Sequence, residues 1–231
     1  MIHRFDRTFP GHGGIMEGPV REFVIGISGE SGEGVVLTGE FLTIAAARMN
    51  IHSSSFRTFP AEARGGPSVV RLRLARDHVY SLGDEYDVLV AFNEEAYQLH
   101  GPDLANHGVL LVDGEPEKPI ITRYPELHDR VVYHVPMERI ARKDVGEIKT
   151  KNMVALGAVS ALFGFSRELI ERQIAEKFKK RSEKMLRDNI NAFTPFARAS
   201  ASALASRSAL LPLPTPTAGI NHRIYFYLDD I

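Results

Sequence analysis

A short apolar run, Phe23 to Ile27, passes directly into Ser28-Gly29-Glu30-Ser31-Gly32-Glu33-Gly34 and then into an apolar, alanine-rich segment from Val35 to Met49. That order dictates a buried strand, a tight turn tolerant of positive φ, and a helix folded back on the strand. The helix carries apolar residues on more than one side (Leu37, Phe41, Leu42, Ile44 and Ala45 to Ala47). It is therefore expected to lie on a sheet and to be covered from outside as well.

Further strands follow. Ile51 to Phe56 supplies one, and Val69 to Ala75 alternates, with Val70, Leu72 and Leu74 on one face and Arg71 and Arg73 on the other, so this third strand is expected to be half exposed. Asp87 to Phe92 and Val109 to Val112 are continuous apolar runs bounded by turn residues, which marks strands buried on both faces. Val131 to Val135 adds another. Helices are expected over Glu94 to Ala105 and Met137 to Arg142, with a fully helical region from Lys151 to about Phe193. The alternation predicts an α/β fold, a three-layer α/β/α domain with a mainly parallel central sheet and a helical C-terminal part. It divides the chain into a flexible leader (1–21), one domain (22–196) and an atypical, poorly ordered tail (197–231) in which Tyr225 to Leu228 could dock as an edge strand or partner contact.

Composition removes several functions. With 28 basic against 29 acidic residues, nothing in the charge points to nucleic acid or an anionic membrane. There is no cysteine, so the chain has no thiolate to hold an iron–sulfur cluster. No run reaches the roughly 18 apolar residues of a membrane span, and the expectation is a cytoplasmic protein. The histidines form no H-E-x-x-H or close helical pair and no G-x-S-x-G occurs, so neither a metal centre nor a hydrolase nucleophile is expected. The basic run Lys177 to Arg181 reads as the solvated side of an amphipathic helix. Lys151 and Asn152 open a helix whose Met153, Leu156 and Val159 look like core, and both are assigned structural duty.

The glycine stretch is a generic anion site, because backbone N–H groups and the positive end of a helix converge there. Known nucleotide patterns fail. Gly32-Glu33-Gly34 is followed by Val35, Val36 and Leu37, so a dinucleotide fingerprint lacks its third glycine, and Ser53 to Ser55 stand where its acidic residue belongs. Gly29 and Gly34 have Walker spacing, but Val35 and Val36 replace the lysine and the serine or threonine. Glu30 and Glu33 would repel phosphate, while suiting a helix N-terminus with no anion bound. A loop that only turns the chain stays open as the alternative.

A second unusual stretch is Phe56-Arg57-Thr58-Phe59-Pro60-Ala61-Glu62-Ala63-Arg64-Gly65-Gly66-Pro67-Ser68. Arginines beside a glycine pair and a serine make a donor-rich surface for carboxylate or phosphate, or else a turn whose arginines pair with Glu62 or a partner. Together the two stretches closely resemble the gamma-type domain of 2-oxoacid:ferredoxin oxidoreductases. The resemblance continues through Asp87 to Asn93, Lys151 to Ala158 and Asn189 to Phe193, spanning roughly residues 22 to 196. The Phe-Arg-Thr-aromatic-Pro-Ala-Glu form is most similar to the domain that opens the alpha subunit of 2-oxoglutarate-type enzymes, ahead of a pyrimidine-binding domain. Ser31 departs from the usual glycine and Glu33 from the common glutamine. Beyond Phe193 the likeness ends, and Thr194-Pro195-Phe196 leads into an Ala, Ser and Pro-rich tail, as a truncated, split or frameshifted gene product would.

The resemblance implies oxidative decarboxylation of a 2-oxoacid, 2-oxoglutarate foremost, with coenzyme A to an acyl-CoA and reduced ferredoxin. Thiamine diphosphate, magnesium and iron–sulfur clusters would belong to partner subunits, a thiamine-binding beta subunit and a pyrimidine-binding alpha part, with ferredoxin an indirect partner. This chain would carry no catalytic residue and hold no cofactor alone, covering the active site and helping to enclose coenzyme A at its surface. The residues assigned to that contact are Gly29, Ser31, Gly32, Gly34, Arg57, Arg64, Gly65, Gly66, Ser68 and Asn93. Asn93 has a competing role as helix N-cap. A non-catalytic nucleotide-sensing or scaffold module on an α/β fold is the alternative of a different class.

Overall fold

The computed structural model describes residues 22–58, 67–75, 78–115, 120–127, 130–205 and 223–225. Seven strands form one sheet, β1 (Glu22–Glu30), β2 (His52–Thr58), β3 (Pro67–Ala75), β4 (Tyr86–Ala91), β5 (Leu104–Asp113), β6 (Val131–Val135) and β7 (Arg223–Tyr225), ordered β2-β3-β1-β4-β5-β6-β7. The pairs β1–β4, β4–β5, β5–β6 and β6–β7 are parallel, whereas β3 is antiparallel to both β1 and β2. The antiparallel turn follows from chain length, because residues 59–66 are too few for the crossover of about a dozen residues that a parallel pair needs.

Helix α1 (Val35–Arg48) packs on β3 and β2 and is covered by α4 (Lys151–Phe163) and α5 (Arg167–Phe178), in agreement with its apolar sides. Gly39 lets it approach closely, since a Cβ there would lie 2.6 Å from Val70. The main core joins this helix, α4, α5 and α6 (Glu183–Ala205) to one face of the sheet through Ile25, Ile27, Phe41, Leu72, Val90, Leu111, Leu156 and Phe193. On the other face, Leu89, Leu110 and Val132 meet Ala96 and Tyr97 of α2 (Glu94–His100) and the turns around Ile120 and Leu127. Three layers result, with four of the six strand pairs parallel. No helix of the described residues is long and apolar enough to cross a membrane.

Local expectations need correction in four places. Helix α2 stops at His100 instead of Ala105, because Gly101 and Pro102 tighten the chain into a 3₁₀ turn and β5 begins at Leu104. The predicted Met137 to Arg142 helix is one turn, α3 (Met137–Arg139), that widens into a π-turn over Ile140–Val145. The Lys151 to Phe193 region is three helices, broken at Gly164 (φ 70°) and between Phe178 and Glu183, and the last continues through Pro195 to Ala205. Finally, β3 lies inside the sheet and its arginine face is partly covered, with the Arg71 guanidinium carbon 4.2 Å from the Tyr86 ring centroid.

Candidate functional site at the sheet edge

Strands β1, β4, β5 and β6 run parallel, so the segments that leave their C-terminal ends gather along one edge, where open α/β sheets place ligands. The glycine loop is the segment after β1. Its turn rests on Gly32 (φ +101°) and Gly34 (φ +87°), both in the left-handed region. Among the described residues, nothing lies within 4 Å of a Cβ placed at Gly32. Gly34 is the N-cap of α1 and makes no side-chain capping bond, and no acidic residue lies in the first turn.

Glu33 does not serve the helix terminus in the way the sequence suggested. Its Oε2 accepts from the backbone N–H of Glu30 (2.7 Å) and from Nδ2 of Asn93 (3.1 Å), while Oε1 accepts from Lys151 Nζ (2.9 Å). The carboxylate folds over the end of β1, where a Cβ on Gly29 would meet it at 2.6 Å. Lys151 Nζ also lies 2.8 Å from Oδ2 of Asp113, the last residue of β5. The other Asp113 oxygen accepts from the N–H of Glu138 at 3.2 Å.

Burial pushes the Lys151 ammonium down, but Asp113 and Glu33 more than offset it and hold the lysine above its ordinary value. At Asp113 burial prevails over Lys151 and over the N–H groups of Glu138 and Met137, leaving the carboxyl above its usual range. The Lys151 ammonium is bonded by Glu33 on one side and Asp113 on the other, so it is not free to meet an anion.

Asn93 fills the N-cap position of α2, with Oδ1 accepting from the N–H of Ala96 at 2.8 Å while its amide nitrogen reaches Glu33. Both uses are internal to the fold. Ser68 is buried on β3 directly opposite Gly29, and Pro67 lies opposite Glu30. Arg57 is exposed on β2, opposite Val70, which in turn lies opposite Ile27. Both ends of the Arg57 to Ser68 stretch thus emerge beside the glycine loop. Arg64, Gly65 and Gly66 lie outside the described residues. Two buried polar atoms at this edge, Ser28 Oγ and Asn152 Nδ2, have no hydrogen-bond partner among the described residues.

Sequence reasoning gave Lys151 structural duty but missed Asp113 and the pairing of Lys151 with Glu33 and Asp113. The available signal was a lysine opening a helix whose residues from Lys151 to Ser160 are all buried, since a buried ammonium requires a partner.

Three comparisons bear on the site. The family described as pyruvate ferredoxin/flavodoxin oxidoreductase matches residues 24–196. The chain is similar to the 2-oxoglutarate oxidoreductase subunit KorA of Mycobacterium tuberculosis (32% identical, 69% of this chain and 28% of that one). It is also similar to the 2-oxoglutarate synthase subunit KorC of Methanocaldococcus jannaschii (31% identical, 69% of this chain and 85% of that one). Among solved structures, 2-oxoglutarate:ferredoxin oxidoreductase from Magnetococcus marinus, with 2-oxoglutarate, coenzyme A and succinyl-CoA bound, superposes with a TM-score of 0.70 at 32% identity, over 79% of this chain and 31% of that one. The chain therefore spans under a third of the KorA and Magnetococcus polypeptides and most of KorC.

Proposed function

Because the chain belongs to the pyruvate ferredoxin/flavodoxin oxidoreductase family, we propose that it works as a component of a cytoplasmic 2-oxoacid:ferredoxin oxidoreductase, covering the active site and helping to enclose coenzyme A. The reaction would convert a 2-oxoacid and coenzyme A to an acyl-CoA and carbon dioxide, with the electrons passing to ferredoxin. The 2-oxoglutarate names of KorA, KorC and the Magnetococcus enzyme favour that substrate. Thiamine diphosphate with magnesium would supply the carbanion chemistry from the thiamine-binding beta subunit and the pyrimidine-binding alpha part. Iron–sulfur clusters would belong to partners as well, since this chain has no cysteine. The working unit is residues 22–196, with residues 1–21 and 197–231 as extensions.

One observation carries this reading: the glycine loop and the arginine-bearing stretch leave the same sheet edge, with Glu30 paired to Pro67. Ser31 and Gly32 would let coenzyme A approach the backbone. Gly29 and Gly34 keep the loop tight beneath it, and Gly65 and Gly66 would let the backbone of the second stretch approach it closely. Arg57 and Arg64 would attract its phosphates, Ser68 would line the seam, and Asn93 would hold the loop from below. Every one of these roles is binding or orientation; the redox chemistry lies with the partners.

The test is co-purification followed by kinetics. The full chain should bring down a thiamine-binding, cysteine-rich partner, and Arg64→Ala in that complex should raise the apparent coenzyme A requirement several-fold, in keeping with loss of one charge-assisted contact of about 1.5–3 kcal/mol screened by solvent. Absence of any such partner would favour a nucleotide-sensing or scaffold module instead. An unchanged requirement would remove Arg64 from the coenzyme A contact.

A further inference from the structure

A lysine at the head of α4 is not what packing there calls for. The next nine residues of the helix are all buried, and the Lys151 side chain itself is only 7% exposed. Withdrawing an ammonium from water is costly unless charge and hydrogen bonds are returned to it, and a well-packed apolar side chain of similar volume does at least as well for stability alone. Here the charge is answered twice, by Glu33 at 2.9 Å and Asp113 at 2.8 Å. What distinguishes this cluster is what its partners are attached to. Glu33 belongs to the glycine loop and grips Glu30 N–H and Asn93 with its second oxygen. Asp113 ends β5 and is fixed from behind by the N–H of Glu138. The cation therefore joins the loop after β1 to the end of β5, and Glu33 joins the same loop to Asn93 just past β4.

A backbone bond from the Glu33 N–H to the Glu30 carbonyl (3.1 Å) closes the turn, and the Glu33 side chain ties that turn to Asn93 and Lys151. Its two left-handed glycines contribute no side chain, and a Cβ at Gly32 would meet nothing within 4 Å among the described residues. We propose that Lys151 is a positioning residue, which through Glu33 holds the glycine loop in the conformation that presents Ser31 and Gly32 at the sheet edge. It does not touch the ligand; it sets where the loop backbone stands. The identity of that ligand as coenzyme A rests on the function proposed above, whereas the positioning role does not.

Glu33→Gln separates the two. The carboxylate accepts on both oxygens, so an amide in its place turns an NH₂ toward either Lys151 or the Glu30–Asn93 pair of donors, and the clamp opens. The Lys151–Asp113 pair stays balanced, which protects the fold. Lys151→Met, in contrast, strands two carboxylates and is informative only if it folds. In the full-length Glu33→Gln chain, hydrogen exchange of the amides of residues 30 and 33, which bond to the Glu33 carboxylate and to the Glu30 carbonyl, should speed up about tenfold or more, the effect of losing one charge-assisted hydrogen bond. Amides in β4 and β5 should exchange as before. In the partner complex, the KM for coenzyme A should rise more than kcat falls. Unchanged exchange at residues 30 and 33, or an equal rise throughout the sheet, would overturn the positioning role. Faster exchange confined to the loop with an unaltered KM for coenzyme A would uphold it and remove coenzyme A as the ligand of this edge.

Discussion

A side chain added at Gly34 would begin 2.7 Å from the amide carbon of Asn152. Gly34 also has φ +87°, so Gly34→Ala meets two obstacles, about 1–2 kcal/mol of left-handed backbone and about 1–3 kcal/mol of overpacking. Gly32→Ala, at φ +101° with none of the described residues within 4 Å, meets only the first. Urea denaturation should therefore find Gly34→Ala clearly less stable than Gly32→Ala, and Gly34→Ala/Asn152→Ala should recover most of the gap. Equal losses in the two single variants would show that Asn152 yields at no cost.

Helices α4 and α6 touch through another glycine. A Cβ at Gly157 would stand 2.5 Å from the carbonyl oxygen of Phe193, a backbone atom that cannot swing aside. Gly157→Ala gains about 1 kcal/mol of helix propensity but must push α4 away from α6, whose Phe193 and Phe196 are fully buried. Net destabilisation and a lower Tm are expected. A variant more stable than the parent would mean that the helices separate freely.

Much of this arrangement was legible in the chain. Strand β1, the glycine turn and α1 follow from an apolar run, a glycine cluster and an apolar helix in that order, and β6 matches Val131 to Val135 to the residue. The N-cap role of Asn93 was also within reach, because a short polar side chain before Glu94 and Glu95 is a helix start. The proximity of the two signature stretches was not written in any spacing; the strand register sets their near ends, Gly29 and Ser68, opposite each other. The polar cluster escaped because Glu33 and Lys151 are separated by 118 positions and α4 is buried on every side, so no polar face announces it. The first residues of β5, Leu104 to His107, escaped because their composition lacks the apolar run that marks Val109 to Val112.

Arg71 shows how a strand that reads as half exposed becomes covered. Its Nη1 donates to the carbonyls of Gly83 (2.7 Å) and Asp84 (2.9 Å) while the guanidinium plane lies over Tyr86. Lysine cannot stack and donate to both carbonyls with the same group. Arg71→Lys should cost about 1 kcal/mol in denaturant melts, and amide exchange should quicken in residues 83–85 ahead of β1. If exchange there matched the parent, the segment would be held by something other than Arg71.

Asp87 supplies a pH test whose sign can be worked through. Burial raises its carboxyl above the ordinary value of 3.8, and Glu22 and Glu85 add to the rise against the Val24 N–H and Arg73, which oppose it. The folded state thus binds the proton more tightly than the unfolded chain does. The stability this contributes is complete below the unfolded value and is lost as pH climbs through the raised folded one, so at pH 7 the parent has forfeited it. Asparagine has no such charge to bury, and its amide oxygen can keep the 2.7 Å bond from Val24 N–H. Asp87→Asn should therefore melt higher than the parent at pH 7, with the advantage shrinking steadily as the pH falls toward about 4. A difference that stayed constant across that range, or favoured aspartate at neutral pH, would mean that the hydrogen bond to Val24 outweighs the burial of the charge.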